Sequence, residues 1–221
     1  MFKKFILPLI FLASSQAWAD CDINGKFTIN VNIEPIKYNY NYNSVSIKNM
    51  PNIKTFNESQ YLLGAYVPVL SIGVKSRTYR EQSFSSVCSK ISDMTVTLRL
   101  ESSIYLAREI QPFQCTLNRT INHENTHFKF QREAVDVGVE YLRKNLEPAF
   151  SQKFYGSPQE FDTFIKNQMT IIQKNTLNII ENNASPKHSS IDTSANYKAE
   201  SMSCSNAEHD MVARSILSTY R

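Results

Sequence analysis

Histidine is scarce in this 221-residue chain, with only four. Chemistry that needs imidazole must therefore draw on very few positions. No Cys-x-x-Cys pair occurs among the four cysteines, which makes them poor metal ligands. After the first apolar stretch no second long apolar run exists, so a permanent membrane anchor is not expected. Charge of one sign is not blocked either. The formal charge of +4 is spread along the chain, which gives a nucleic-acid partner no support. Internal repeats are absent, and the only biased tract is the tyrosine–asparagine alternation around Tyr38, Tyr40 and Tyr42.

What is present begins with Met1-Phe2-Lys3-Lys4, an apolar run over residues 5–14, and Ala17-Trp18-Ala19. A basic start, a short apolar core and small residues at two positions read as a signal peptide over residues 1–19, with Asp20 as the mature N-terminus. Asp20 stands where lipid attachment at Cys21 would want a small residue, so a lipid anchor is not expected. The protein is expected to be exported, periplasmic or secreted, and soluble. Residues 20–221 are long enough for a single domain with a real core. Cys21, Cys88, Cys115 and Cys204 are an even count in an exported chain and predict two disulfides, with three pairings open.

Periodicity divides that domain in two. Over 20–110 the period is mostly two: Phe27, Ile29, Val31 and Ile33 alternate with polar residues, as do Met94, Val96, Leu98 and Leu100. Val45 and Ile47 continue the face of the tyrosine alternation. The run 66–74 holds Pro68 and Gly73 and reads as an edge or bulged strand. Over 115–221 the period becomes helical. Phe130, Ala134, Val137 and Tyr141 share a stripe that His123 and His127 extend backwards. Ser157-Pro158-Gln159-Glu160 is a helix start with a capping box, and Phe161, Ile165, Met169, Ile172, Thr176 and Ile179 give that helix its buried face. Residues 182–190, with Pro186, read as a loop, and a third helix is expected from about Thr193 onward. The fold class predicted is α+β: an N-terminal antiparallel sheet packed against about three C-terminal helices.

The chemistry sits in His123-Glu124-Asn125-Thr126-His127. Residues four apart on a helix face the same way, with Cβ atoms roughly 5–6 Å apart. Two imidazoles so placed can bind one ion, and Glu124, about 100° round the helix, flanks it as a base rather than a ligand. Residues 123–127 resemble the zincin metallopeptidases. The wider layout, with strands over 94–100 and 103–106, the motif helix, a second long helix and a loop near Asp192, resembles a family of small bacterial zinc-dependent proteases. That family's loop carries a histidine where this sequence has Tyr197, so the resemblance does not supply a third ligand.

An antiparallel return of the second helix leaves Glu181, His188, Asp192, Tyr197 and Glu200 as candidates for that ligand. Glu200 ranks first, because a carboxylate on a later helix is similar to the glutamate-type zincins, and His188 second. The resemblance implies an exported Zn2+-dependent peptidase acting on a peptide or protein, with Glu124 as general base and His123, His127 and Glu200 on the metal. The strand 94–100 is the expected edge for substrate, and Tyr197 a candidate oxyanion donor. Cys115 with Cys204, and Cys21 with Cys88, is the expected pairing, since the first pair would flank this site from two helices. The alternative is an exported or envelope-associated binding module that keeps the zincin-like fold without hydrolysis.

Overall fold

The computed structural model describes residues 21–51, 53, 62–83 and 87–219. The expected signal segment 1–19 lies outside them. The chain runs β1 (Lys26–Ile33), β2 (Lys37–Asn39), α1 (Ser44–Lys48), β3 (Gly64–Gln82), β4 (Val87–Leu106), then a 3-10 turn over Arg108–Ile110. After it come α2 (Gln114–Phe150), β5 (Phe154–Tyr155), α3 (Pro158–Ile191), α4 (Ser194–Ser201) and α5 (Asn206–Thr219). The molecule is α+β, with one five-stranded sheet and helices.

β4 shows why the alternation matters. Met94, Val96, Leu98 and Leu100 are all fully buried, whereas Arg99 between them is exposed. Period two puts one set of side chains on the core face and the other toward water. Each such buried apolar side chain is worth about 1.5–3 kcal/mol relative to exposure. The row packs against Val135, Leu142 and Leu146 of α2 and Phe161 and Ile180 of α3, forming the main core.

The sheet is mixed, which corrects the antiparallel expectation. β1 and β2 both run parallel to β4, while β3 and β5 run antiparallel to it. The period-two pattern fixes which side chains face the core but says nothing of strand direction. The 94–100 segment is also not an edge: Met94 stands between Phe27 of β1 and Ser76 of β3. β3 is an edge strand among the described residues, and its register shifts between Arg77 and Thr78.

Three local expectations also change. Val45 and Ile47 lie in α1, because Asn43 caps it by accepting from the Ser46 backbone N–H at 2.7 Å. Residues 182–190 are helical, since α3 continues through Pro186 to Ile191. The expected third helix is two, α4 and α5, with Cys204 between them. On α2 the buried row is Ala134, Val135, Gly138, Val139 and Leu142, and Val137 is exposed. The capping box holds: Ser157 accepts from the Glu160 N–H, and the Glu160 carboxylate accepts from the Ser157 N–H at 2.8 Å.

Both expected disulfides form, Cys21–Cys88 and Cys115–Cys204. They are compatible with an exported protein. No helix among the described residues is long and apolar enough to cross a membrane.

α2 and α3 cross closely at Gly138. A Cβ built there would lie 2.6 Å from Ile180 Cγ1 and 2.7 Å from Ile180 Cδ1. Gly138→Val should force the helices apart and lower stability by about 1–3 kcal/mol, the usual cost of overpacking. A urea midpoint equal to wild type would show that this crossing is not tight.

Candidate metal centre

Near its start α2 lies over one end of the sheet. Tyr38 of β2 donates its hydroxyl to Asn125 Oδ1 at 2.9 Å, and the Tyr66 ring of β3 stacks on His127 with centroids 6.2 Å apart. These contacts fix the turn of α2 that carries the motif. His123, Glu124 and His127 are all buried there, between 6 and 7% exposed.

The third member arrives from α3. Asp192, the residue that ends α3, places Oδ1 3.1 Å from His123 Nε2 and 3.1 Å from His127 Nε2, and the two Nε2 atoms are 3.2 Å apart. Donor atoms of a tetrahedral ion bound at about 2.0–2.1 Å stand roughly 3.3 Å from each other, so the triangle has the size such an ion needs. Hydrogen bonds alone serve it badly. Each imidazole Nε2 offers one hydrogen or one lone pair in the ring plane, so the three close contacts cannot all be hydrogen bonds at once, and two Nε2–H groups that both donate to Oδ1 would face each other at 3.2 Å. His123, His127 and Asp192 are thus a group able to hold a metal ion. The end of α3 adds to this, because a helix C-terminus favours positive charge.

The outer nitrogens of both histidines are also occupied. Glu200 Oε1 lies 3.0 Å from His123 Nδ1, so an Nδ1–H can donate to it and leave Nε2 to take up an ion once any proton there is lost. His127 Nδ1 lies 2.8 Å from His188 Nδ1, and His188 Nε2 lies 3.3 Å from Gln131 Oε1. This chain is consistent if His127 donates to a neutral His188, which donates in turn to Gln131. Burial pushes His188 down to about 4, which keeps it neutral. Both histidines therefore present Nε2 inward, as carboxylate or neutral acceptors behind metal-bound imidazoles commonly arrange.

The electrostatics call for a cation. Burial disfavours a charged His123, but Asp192, Glu124 and Glu200 outweigh that and push its pKa up to about 9. Burial acts to raise Asp192, yet hydrogen bonds from His123, His127 and Tyr197 hold its carboxyl well below the usual range. Glu124 stands beside the triangle and is not part of it. Burial raises its pKa to about 7, against the pull of His127, His123 and a hydrogen bond from the Tyr66 backbone N–H. Gly64 makes room for this carboxylate: a Cβ there would lie 2.8 Å from Glu124 Oε1 and 2.5 Å from Thr120 Cγ2.

The structure brings together four of the expected site residues, His123, Glu124, His127 and Glu200, but it places Glu200 differently. Glu200 sits behind His123 rather than in the triangle, because α4 approaches His123 from its Nδ1 side. Asp192 takes the inward position. Tyr197 donates its hydroxyl to Asp192 Oδ1 at 2.8 Å, and burial raises its pKa. His188 packs behind His127, and Glu181 is exposed on α3. Glu208 is engaged elsewhere, accepting from the Thr116 N–H at 2.7 Å. No protein-family model, curated protein or solved structure matches this chain.

Proposed function

We propose that the protein is an exported zinc-dependent peptidase in which His123, His127 and Asp192 hold the ion and Glu124 is the general base. The observation that carries this reading is the triangle of two Nε2 atoms and one Oδ1, 3.1–3.2 Å on a side, set beside a buried carboxylate. Two imidazoles and one carboxylate, with one position open to water, make up a donor set that catalytic zinc uses. Bound zinc supplies Lewis acidity, which lowers the pKa of water to about 7 and polarises a carbonyl.

The chain's own residues do the rest. Glu124 accepts the proton of the attacking water at its carboxylate and passes it to the leaving amine. The Tyr66 N–H and the space left by Gly64 hold that carboxylate in place. Tyr197 keeps its proton and steadies Asp192. No described strand pairs with the outer edge of β3, where Glu124 holds the Tyr66 N–H and Gln173 the Ile72 carbonyl, and an extended peptide can add along the groups that remain.

Elemental analysis of protein purified without chelators tests the reading. About one zinc per chain is expected, in tetrahedral coordination with one water. Protein that contains no stoichiometric metal and takes up none would remove the basis for the proposal.

A further inference from the structure

A cavity of about 400 Å³ adjoins the triangle through His123. Its walls include Arg119, Asn122 and Thr126 of α2 and Asn196 and Glu200 of α4. Arg119 is the unusual member. Its Nη1 is buried and has no hydrogen-bond partner among the described residues. Native proteins rarely leave a buried donor unpaired, and a guanidinium nitrogen is among the costliest to leave so. Two acids lie near enough to act on it, Glu200 and Glu208, but neither supplies the missing acceptor. Glu200 Oε1 accepts from His123 and Glu208 Oε1 from the Thr116 backbone. Asn196 already gives its amide hydrogens to the Ser190 and Ile191 carbonyls and Thr126 its hydroxyl to the Asn122 carbonyl, so the Arg119 guanidinium and the Asn122 side-chain amide are what this wall offers an anion with two acceptor oxygens.

We propose that this cavity is a carboxylate subsite, in which Arg119 receives a carboxylate of the substrate while Asn122 and Asn196 lie beside it. The word substrate rests on the peptidase reading; the carboxylate preference does not. Arg119 is one helical turn before His123, a rise of about 5.4 Å. An extended chain covers about 3.3–3.6 Å per residue. The carboxylate therefore belongs within one or two residues of the cleaved bond. It is either the α-carboxylate of a peptide that ends there or the side chain of Asp or Glu at that place. The cavity is at the small end of ligand clefts, about 300–1,000 Å³, which fits a short peptide end rather than a long segment.

The test measures binding, without turnover, to the zinc-loaded protein. Three probes are titrated by calorimetry: an N-acetyl dipeptide acid, its C-terminal amide, and an amidated dipeptide carrying Asp. Wild type should bind an acid at least tenfold more tightly than the neutral amide, and the two acid arms tell an α-carboxylate from a side-chain carboxylate. Arg119→Met, which keeps the apolar stem, should abolish the preference, and Arg119→Lys should keep part of it. If Arg119→Met does not fold, the guanidinium resonance of Arg119 in wild type should shift with the acids and not with the amide. Equal binding of acid and amide, no binding of either acid, or a preference that survives Arg119→Met overturns the subsite. Protein that binds acids through Arg119 but cleaves nothing keeps the subsite and loses the peptidase. Protein that cleaves free and amidated peptides alike, with no acid preference in binding, does the reverse.

Discussion

Glu124→Gln should keep its zinc and lose about 10²–10⁴-fold in peptide hydrolysis, the range typical of a lost general base. The substitution keeps the size of the side chain and its ability to accept from the Tyr66 N–H, and it removes only the proton acceptor. Metal content should stay near wild type because Glu124 lies outside the triangle of His123, His127 and Asp192. The assay is turnover of a broad peptide library alongside elemental analysis of the same preparation. Undiminished cleavage would refute Glu124 as the base while leaving the metal site intact. Zinc-loaded wild type that cleaves nothing in the library would favour a binding module built on the same site.

The second large effect is on metal retention. Asp192→Ala should lose stoichiometric zinc, because two imidazoles remain and a protein site ordinarily supplies at least three ligands. Glu200→Gln should weaken binding by only about 10–100-fold, the usual effect of a partner behind a ligand. Competition with a zinc-binding dye ranks the two. Glu200→Gln can still accept from His123 Nδ1 through its amide oxygen, so it tests the carboxylate's charge rather than the hydrogen bond. Complete loss in Glu200→Gln with retention in Asp192→Ala would reverse the assignment and make Glu200 the ligand.

The motif was legible because its spacing is local: four residues on one helix settle where His123 and His127 point. The buried row of β4 was legible for the same reason, since alternation is a property of neighbours. The third member of the triangle depends on how far α3 runs and on its register against α2. The partners across that interface include Tyr141 with Asn175, Gly138 with Ile180 and His127 with His188. Pro186 and the polar residues around it read as a break, because an interior proline removes a helix hydrogen bond and crowds the preceding turn at a cost of about 3 kcal/mol, a local penalty that α3 nonetheless carries. α3 carries on past it, and its end reaches the motif at Asp192 instead of near Glu181. Strand direction was hidden for a different reason: parallel and antiparallel neighbours can share one alternation, and the choice lies in contacts between residues far apart in sequence.

That distance gives the first disulfide a further meaning. Cys21 and Cys88 are 67 residues apart, and β1 meets β4 with the same offset, Lys26 opposite Asp93 and Ile33 opposite Leu100. The bridge is in effect one more rung of that ladder, placed ahead of its first pair. Because side chains alternate faces, a slip of one residue would turn Phe27, Ile29 and Ile33 from the core toward water. A thiol pair joined at the correct offset is incompatible with that slip. Cys21–Cys88 is thus a covalent alignment mark that ties β1 to a partner strand 67 residues further along the chain.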